Sequence, residues 1–320
     1  TECSGVPFAS EHPGMMHACG HDTHMAMLLG AAAMLKQHEA ELQGKVLICF
    51  QPAEEIMRGA EALLQELPTE PDFAFALHIF PTNTHESGTF VCPEGGYMSS
   101  SDVFAVTVTG KSAHGSTPNQ GRNPLYPAME IAQAFIAMMN NEKDPRTAGA
   151  LSVCAFHCGE THNIIPNSCW FKGTLRMMDE QERRELHTRM RETVAFIGKA
   201  HRVDAELVFE ASVPSLFNDP ILARKAQGYL ERAAGRGVGP LEEKRNMVSE
   251  DFALFGQRMP AVMFELLSRS PENAHYPGHN PRVTFDDSIL HRGAAAYAQV
   301  AQDYLSEYSP AAKENKSYAL

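Results

Sequence analysis

Apolar residues follow two different spacings in the first part of the chain. They recur at helical spacing over 25–38, and the apolar run 46–50 that follows has the length of a buried strand. The same succession returns with a helical pattern over 60–67 and a short apolar run over 73–79. Helices and buried strands in alternation predict a layered α/β domain built on a parallel sheet.

The pattern changes after Met98, where strand-like alternation and long amphipathic helices take over. The predicted order is β-α-β-β-α-β, with strands at 103–108, 150–156, 168–176 and 204–210 and helices at 123–140 and 179–201. A unit of this order folds as an antiparallel sheet with helices on one face. We therefore expect an inserted α+β domain at residues 101–212.

Beyond the inserted unit, the first pattern resumes. Helical spacing at 218–230, an apolar strand at 261–267 and a final helix at 289–308 continue the first domain. The expected fold class is therefore α/β, with a layered, discontinuous domain at 1–100 and 213–320 that surrounds the insertion. Residues from Ser309 onward are predicted to be a polar tail.

Charge and hydropathy exclude several classes of partner. The chain has 320 residues and a formal net charge of −12, with 27 Lys+Arg against 39 Asp+Glu, so no basic surface for nucleic acid or an anionic membrane is expected. No apolar run is long enough to cross a bilayer, and residues 1–16 do not resemble a signal peptide, which predicts a cytoplasmic protein. Because the chain begins at Thr1 without an initiator Met, we also expect that an upstream segment has been removed.

Seven cysteines are scattered along the chain without a Cys-x-x-Cys pair. Their number is odd and the chain is too large to need cross-links, so reduced thiols are expected. Six of them are predicted to be small buried hydrophobes. Cys19 is the exception because of its neighbours.

Cys19 lies in a cluster of potential metal ligands just before the first predicted helix. His17, His21, His24 and Asp22 accompany it within eight residues. Thiolate, imidazole and carboxylate groups are ligands for transition metals, and a loop at a helix start can aim several of them at one point. The alternative is a histidine-rich surface loop.

Two adjacent carboxylates, Glu54 and Glu55, follow the apolar run 46–50, at the strand end where open α/β sheets place their ligand sites. Neighbouring side chains there point in different directions, so one carboxylate could bind a metal ion while the other acts as a general base. The alternative is a solvated acidic turn at the start of the next helix.

Three further histidines lie in comparable positions. His78 lies at the end of the run 73–79, and His275 and His279 lie on a loop ahead of the final helix. A single histidine in such a place is more often structural than a ligand. Together, however, the four loops would bring a thiol, imidazoles and a carboxylate to one edge of one sheet. This combination predicts a metal site.

These residues resemble the motifs of metallo-amidohydrolases, the dinuclear zinc peptidase-like family that includes hippurate hydrolases, auxin-conjugate hydrolases and N-acyl-amino-acid deacylases. The resemblance runs from Thr1 to about Tyr308. The matching segments are MHACGHD at 16–22, QPAEE at 51–55, ALH at 76–78, SEDF at 249–252 and HNP at 279–281.

The resemblance implies a ligand set and a catalytic base. The metal ligands would be Cys19, His21, Glu55, His78 and His279, with the Cys19 thiolate bridging two divalent ions. Glu54 would act as the base, and His17 and His24 would be supporting or structural residues. A thiolate ligand favours zinc, and manganese or nickel are the alternatives.

The resemblance extends to the inserted unit through GKSAH at 110–114, NIIPN at 163–167 and GTLR at 173–176. It implies a lid and dimerisation domain and a homodimer. His114 would stabilise the oxyanion, reaching across from the partner subunit, while Asn163 and Arg176 would hold the substrate carboxylate. The residues alone, without the resemblance, favour a turn histidine at His114 and a surface ion pair at Arg176.

One departure from the family concerns the region upstream of Thr1. Relatives carry there a strand that ends in an Asp-rich motif, which is expected to orient the metal-site residues. We therefore expect one sheet strand fewer and a lower metal affinity in this chain. Equal metal contents with and without the upstream region, measured by elemental analysis, would refute this expectation.

The predicted function is hydrolysis of the amide bond of N-acyl amino acids by metal-activated water, with Glu54 as general base. One alternative is a dipeptidase or carboxypeptidase on the same scaffold. Another is a catalytically impaired metal-binding protein. A third makes Cys19 a nucleophile with a nearby histidine as its base, and sensitivity to a chelator separates that mechanism from the metal mechanism.

Overall fold

The computed structural model describes residues 1–234, 246–270 and 276–308, so the predicted tail from Ser309 lies outside the described residues. The α-helices within these ranges are α1 (His21–Gln37), α2 (Gly59–Glu66), α3 (Leu125–Asn141), α4 (Glu180–His201), α5 (Pro220–Ala234), α6 (Ala253–Gly256) and α7 (Leu290–Tyr308). None of these described helices has the length and apolar character needed to span a membrane.

The strands in the same ranges form four sheets, with strand orders β1-β11-β2, β10-β3, β6-β8-β4-β9 and β5-β7. Their bounds are β1 (Ala74–Pro81), β2 (Thr89–Val91), β3 (Gly95–Met98), β4 (Ser101–Thr109), β5 (Ala113–His114), β6 (Gly149–Cys158), β7 (Ile164–Ile165), β8 (Ser168–Met177), β9 (Asp204–Val213), β10 (Leu216–Asn218) and β11 (Ala261–Ser268). The sequence pattern did not predict the short strands β2, β3, β5, β7 and β10.

The central strand of the first sheet, β11, is buried along its whole length and pairs in parallel with β1. Its residues alternate between two cores. Val262, Phe264 and Leu266 pack in a core with α1, α5 and α7, while Ala261 and Met263 pack in a second core with α2 and α6. A strand that is apolar on both faces belongs to a sheet covered by helices on both sides. The predicted layered α/β architecture is confirmed.

Between β4 and β9 the chain forms a four-stranded antiparallel sheet. The element order β4-α3-β6-β8-α4-β9 is the predicted β-α-β-β-α-β order, with the short pair β5 and β7 added. Ile131 and Phe135 of α3 and Met190 of α4 share one core with Phe104 and Phe171 of the sheet. Both helices therefore cover the same face, as an α+β unit requires.

The predicted strand at 46–50 is wrong. These residues form no strand in the described part of the chain, and three of their apolar side chains are more than a third exposed. Side chains occupy the edge of β1 where a neighbouring strand would pair: Leu77 N donates to the Tyr297 hydroxyl at 2.8 Å and Ile79 N donates to His24 Nε2 at 2.9 Å. Residues 46–50 and β1 instead line a cleft of about 1170 Å³.

Two expectations about the cysteines are also corrected. Cys158 and Cys169 lie directly opposite each other in β6 and β8, with Cα atoms 4.4 Å apart, and form a disulfide. The spacing of cysteines along the chain cannot reveal that two of them lie opposite each other on paired strands. Cys3 and Cys154 are exposed rather than buried.

Candidate metal centre

Cys19 and His21 flank a tight turn at the start of α1. Gly20 between them has φ 77°, and a Cβ atom at this position would lie 2.6 Å from Ile79 Cγ2. Both the left-handed backbone and the close approach to β1 require glycine. The turn therefore presents a thiol and an imidazole side by side next to β1, and both side chains are half-buried.

His78 lies in β1, with its Nε2 3.4 Å from Cys19 Sγ. Its Nδ1 donates to the backbone carbonyl of Ile79 at 2.5 Å. Because a carbonyl oxygen only accepts hydrogen bonds, Nδ1 carries the proton and Nε2 keeps its lone pair. A histidine oriented in this way by a backbone carbonyl is typical of metal ligands.

Glu54 and Glu55 begin a 3₁₀ turn, Glu54–Ile56. Oε2 of Glu54 lies 3.7 Å from His21 Nε2, and Oε1 of Glu55 lies 3.8 Å from the same nitrogen. The Glu54 side chain is 17% exposed and that of Glu55 is 50% exposed. The adjacent carboxylates therefore reach the same imidazole from environments of different polarity.

His279 reaches the cluster from the loop ahead of α7. Its backbone N donates to the carbonyl of Ala18 at 2.8 Å, which ties this loop to the turn that carries Cys19. Its Nε2 lies 3.2 Å from Oε1 of Glu55. The neighbouring candidate, His275, lies outside the described residues.

The five predicted ligands and Glu54 converge in the structure. Ligand atoms lie within 4.8 Å of one another in three groups: Cys19, His21 and His78; Cys19, Glu55 and His279; and His21, Glu54 and Glu55. Two of these groups share Cys19. Sets of donors that share one residue suit two neighbouring cations, and a mixture of thiol, imidazole and carboxylate suits zinc and related ions. The donor set therefore fits a pair of divalent ions.

The protonation equilibria of the cluster have one common cause. Burial raises the pKa of the Cys19 thiol to about 12, and Glu55 and Glu54 add to this rise. Burial, followed by the charge of Glu55, raises the pKa of Glu54 to about 7. Burial also lowers the pKa of His78 to about 4 and lowers that of His21. Burial thus disfavours the charged forms of Cys19, Glu54, His78 and His21, and a bound cation would favour the thiolate and the carboxylate.

His24 and His17, expected to be supporting or structural residues, belong to none of the ligand groups found among the described residues. His24 Nε2 accepts the hydrogen bond from Ile79 N, so this nitrogen is already used, and its ring lies 4.5 Å from the ring of His78. The side chain of His17 is exposed, and its carbonyl accepts from Gly20 N at 3.1 Å.

Two buried carboxylates, Glu250 and Asp251, lie behind the turn and were not predicted as site residues. Carboxylate oxygens of Glu250 and Glu54 lie within 4.8 Å of each other, and burial raises the pKa of Glu250 well above the usual range. Asp251 accepts a hydrogen bond from Gln51 Nε2 at 2.5 Å. The available sequence signal was the segment SEDF at 249–252, which contains both acids and is one of the segments that resemble the family.

The predicted substrate groups lie at two ends of the four-stranded sheet. His114 and Asn163 are neighbours, because Gly115 N donates to the Asn163 carbonyl at 2.8 Å. Arg176 lies near the other end of β8, which runs from Ser168 to Met177. At about 3.3 Å per residue, roughly 26 Å separate Ser168 from Arg176. One chain therefore does not bring Asn163 and Arg176 together.

Comparison with known proteins finds a matching family model and related sequences. The model of peptidase family M20/M25/M40 matches residues 1–303. Thermostable carboxypeptidase 2 of Saccharolobus solfataricus is 32% identical over 305 residues, which cover 94% of this chain and 76% of that protein. Hippurate hydrolase of Campylobacter jejuni is 30% identical over 307 residues, covering 95% of this chain and 78% of that protein.

A solved structure agrees with these matches. The Bacillus subtilis protein described as a dinuclear metal binding peptidase from the M20 family superposes with a TM-score of 0.78 and 28% identity. The superposition covers 96% of this chain and 78% of that one. The similarity thus spans both the layered α/β part and the four-stranded sheet.

Proposed function

Since this chain belongs to peptidase family M20/M25/M40, and is thus a hydrolase of the amidohydrolase and peptidase type, we propose that it hydrolyses N-acyl amino acids. The observation that carries the proposal is the position of Glu54 beside the convergent ligand atoms of Cys19, His21 and Glu55. A general base next to a metal cluster is the arrangement that hydrolysis by water requires.

In the proposed site, Cys19, His21, Glu55, His78 and His279 would hold two divalent ions. When bound, such ions lower the pKa of water and polarise an amide carbonyl. The neutral imidazoles of His21 and His78 are already in the protonation state that binds cations. Zinc suits the thiol of Cys19, and manganese and nickel are the alternatives.

Glu54 is the proposed general base. Its carboxylate takes a proton from the attacking water while the new C–O bond forms at the amide carbon. It then delivers that proton to the leaving nitrogen as the C–N bond breaks, which releases an amine and a carboxylic acid. A pKa raised by burial brings Glu54 closer to neutral pH, where a group can both accept and return a proton.

The proposed substrate is an amide between an acyl group and an amino acid. Hippurate, named in one relative, is a molecule of this class. Arg176 is the proposed anchor for the amino-acid carboxylate, because a guanidinium can bind a carboxylate through two parallel hydrogen bonds. Residues 101–212, which carry Arg176, would form a lid over the metal centre.

We further propose a homodimer in which His114 and Asn163 reach the site from the partner subunit. Within one chain these two residues lie at the end of the four-stranded sheet away from Arg176. A substrate that contacts all three would therefore need groups from two chains. His114 would stabilise the oxyanion, and Asn163 would assist Arg176.

The variant Glu54→Gln tests the proposed base. It keeps the size of the side chain but cannot accept the proton, so kcat is expected to fall about 10²–10⁴-fold. Metal content by elemental analysis should stay at the wild-type value, since Glu54 is not a proposed ligand. Glu61→Gln, an exposed glutamate of α2, is the matched control and should leave kcat unchanged. A rate for Glu54→Gln close to that of wild type would remove Glu54 from the mechanism.

Mixed dimers test the contribution of the partner. Glu54→Gln and His114→Ala are each expected to be nearly inactive. Mixed in equal amounts and allowed to exchange subunits, they should recover about a quarter of wild-type activity, because half of the dimers are hybrids with one intact site each. A mixture as inactive as its components would place His114 in the site of its own chain. Sedimentation gives the oligomeric state independently.

A carboxypeptidase activity on the same site is the second candidate. The relative named thermostable carboxypeptidase 2, at 32% identity, favours it. The chemistry at Glu54 would be the same, and only the acyl side of the substrate would differ. Rates for acetyl-, benzoyl- and aminoacyl-amino acids separate the candidates, since a carboxypeptidase would prefer the aminoacyl compounds.

A further inference from the structure

The turn that carries Glu54 and Glu55 has an unusual backbone. Ala53 before it and Met57 after it both adopt the left-handed conformation, with φ 57° and φ 54°. Residues with a Cβ atom rarely adopt this conformation, because the Cβ approaches the following carbonyl oxygen. The loop between Gln51 and Ala60 therefore needs contacts from outside to hold its shape.

One side chain contacts both ends of this loop. Oδ1 of Asp251 accepts from Gln51 Nε2 at 2.5 Å, and Oδ2 of the same carboxylate accepts from Ala60 N at 3.0 Å. The two ends also touch each other, since a Cβ at Gly59 would lie 1.5 Å from the carbonyl oxygen of Pro52. Asp251 thus closes the loop that presents the acidic pair.

Asp251 is itself held firmly. It is fully buried, and the residues that follow it, Phe252, Ala253 and Phe255, belong to a core that also contains Ala60. Its backbone carbonyl accepts from Leu254 N at 2.9 Å. A rigid buried carboxylate with two defined acceptor oxygens is suited to fix the position of two donors.

We propose that Asp251 is a positioning residue, which clamps the loop 51–60 so that Glu54 and Glu55 face the imidazoles of His21 and His279. Its effect on catalysis rests on the proposed function. Its effect on the loop does not. The clamp therefore predicts changes in loop mobility, in metal affinity and in kcat, which can be measured separately.

The variant Asp251→Asn keeps the shape of the side chain but offers one acceptor oxygen instead of two. Its amide nitrogen can face Gln51 only if the Gln51 carboxamide turns to present Oε1, so both charge-assisted bonds become neutral ones and the loop is held less tightly. Hydrogen–deuterium exchange of the amides in 51–60 should become faster in the metal-free protein. Zinc affinity should fall about 10–100-fold, as for other residues that orient ligands, and kcat should fall with little change in KM.

A compensating change tests whether the hydrogen-bond pattern carries the effect. In the double variant Asp251→Asn with Gln51→Glu, the new amide nitrogen can donate to the new carboxylate while its oxygen still accepts from Ala60 N. The rate of amide hydrogen exchange in 51–60 and the affinity for zinc should both return toward the wild-type values. Gln51→Ala removes only one of the two contacts, so it should change the exchange rate and the zinc affinity less. It replaces Asp251→Asn as the test if that variant does not fold.

Asp102→Asn is the matched control, because Asp102 is equally buried but lies in the four-stranded sheet. It should lower overall stability without faster exchange at 51–60 or weaker zinc binding. Wild-type exchange at 51–60 in both Asp251→Asn and Gln51→Ala would overturn the proposal, as would a double variant no better than Asp251→Asn. If exchange responds as expected but wild-type protein hydrolyses no N-acyl amino acid, the clamp stands and the proposed function fails.

Discussion

Asp102 and Glu54 have opposite electrostatic surroundings. Asp102 is fully buried, and Arg183 donates to its two oxygens at 2.8 Å each. Burial by itself would raise its pKa, but the hydrogen bonds and charge of Arg183, with His187 Nε2 3.2 Å from Oδ2, outweigh that effect and lower the pKa to about 2. In this part of the molecule the chain supplies the positive charge that a buried carboxylate needs.

Around Glu54, the described part of the chain supplies no permanent positive charge. Within the described residues, the ion-pair partners of Glu54 and Glu55 are His21 and His279, and no Lys or Arg pairs with either carboxylate. Burial and the charge of Glu55 raise the pKa of Glu54 to about 7, the direction opposite to that at Asp102. Asp102 is thus paired within the chain, whereas Glu54 and Glu55 have the surroundings that suit the cations we propose for this site.

The largest effect expected from this difference is the loss of hydrolytic activity when metal is removed. Dialysis against a chelator should lower the rate of amide hydrolysis by about 10³-fold or more, and added zinc or manganese should restore it. Far-UV circular dichroism should change little, because the Asp102–Arg183 pair needs no metal. A chelated protein that retains the full rate would contradict the metal mechanism and favour Cys19 as a nucleophile.

The next effect concerns stability. Arg183→Met leaves Asp102 buried without its cation, and should lower the free energy of unfolding by about 3–5 kcal/mol, measured by urea denaturation. The control is Arg184→Met, because Arg184 is 65% exposed and its pair with Glu180 should contribute at most about 1 kcal/mol. Equal losses for the two variants would show that Asp102 does not depend on Arg183. Metal content should be unaffected in both.

A substitution at the proposed ligand Cys19 tests the region around Glu54. Cys19→Ser replaces a soft thiolate ligand with a hydroxyl and should weaken zinc binding at least about 100-fold, measured by competition with a chromophoric chelator. The matched control is Cys49→Ser, at a thiol that is also half-buried but belongs to none of the ligand groups among the described residues. Unchanged zinc binding in Cys19→Ser would remove Cys19 from the ligand set.

The sequence could predict these two regions to different extents. The local pattern placed Cys19 and His21 at a helix start and His78 in a strand, as the structure has them. Glu54 and Glu55 were placed by a predicted strand at 46–50 that the described residues do not form, and the 3₁₀ turn Glu54–Ile56 presents them instead. The order of elements from β4 to β9 was predictable because strand and helix spacings differ clearly there.

What the sequence did not reveal depends on contacts between distant positions. Asp251 and Gln51 are 200 positions apart in the sequence, so no local pattern can reveal the hydrogen bond between them. The apolar run 46–50 resembles a strand, but a strand also needs a neighbouring strand with free hydrogen-bonding groups. At the edge of β1, His24 and Tyr297 occupy such groups.

The smallest expected effect is a pH dependence that belongs to Asp102 alone. Because its pKa in the folded protein is lowered to about 2 from the usual 3.8 of an aspartate, the carboxylate stabilises the fold above that unperturbed pKa. This contribution, about 2 kcal/mol, is lost as the pH falls from about 4 toward 2. The difference in unfolding free energy between wild type and Asp102→Asn should therefore be constant above pH ~5 and shrink below pH ~4. Taking the difference cancels the titration of His21, His24 and His78, which both proteins share. A difference that does not change with pH would mean that Asp102 contributes through its shape and not through its charge.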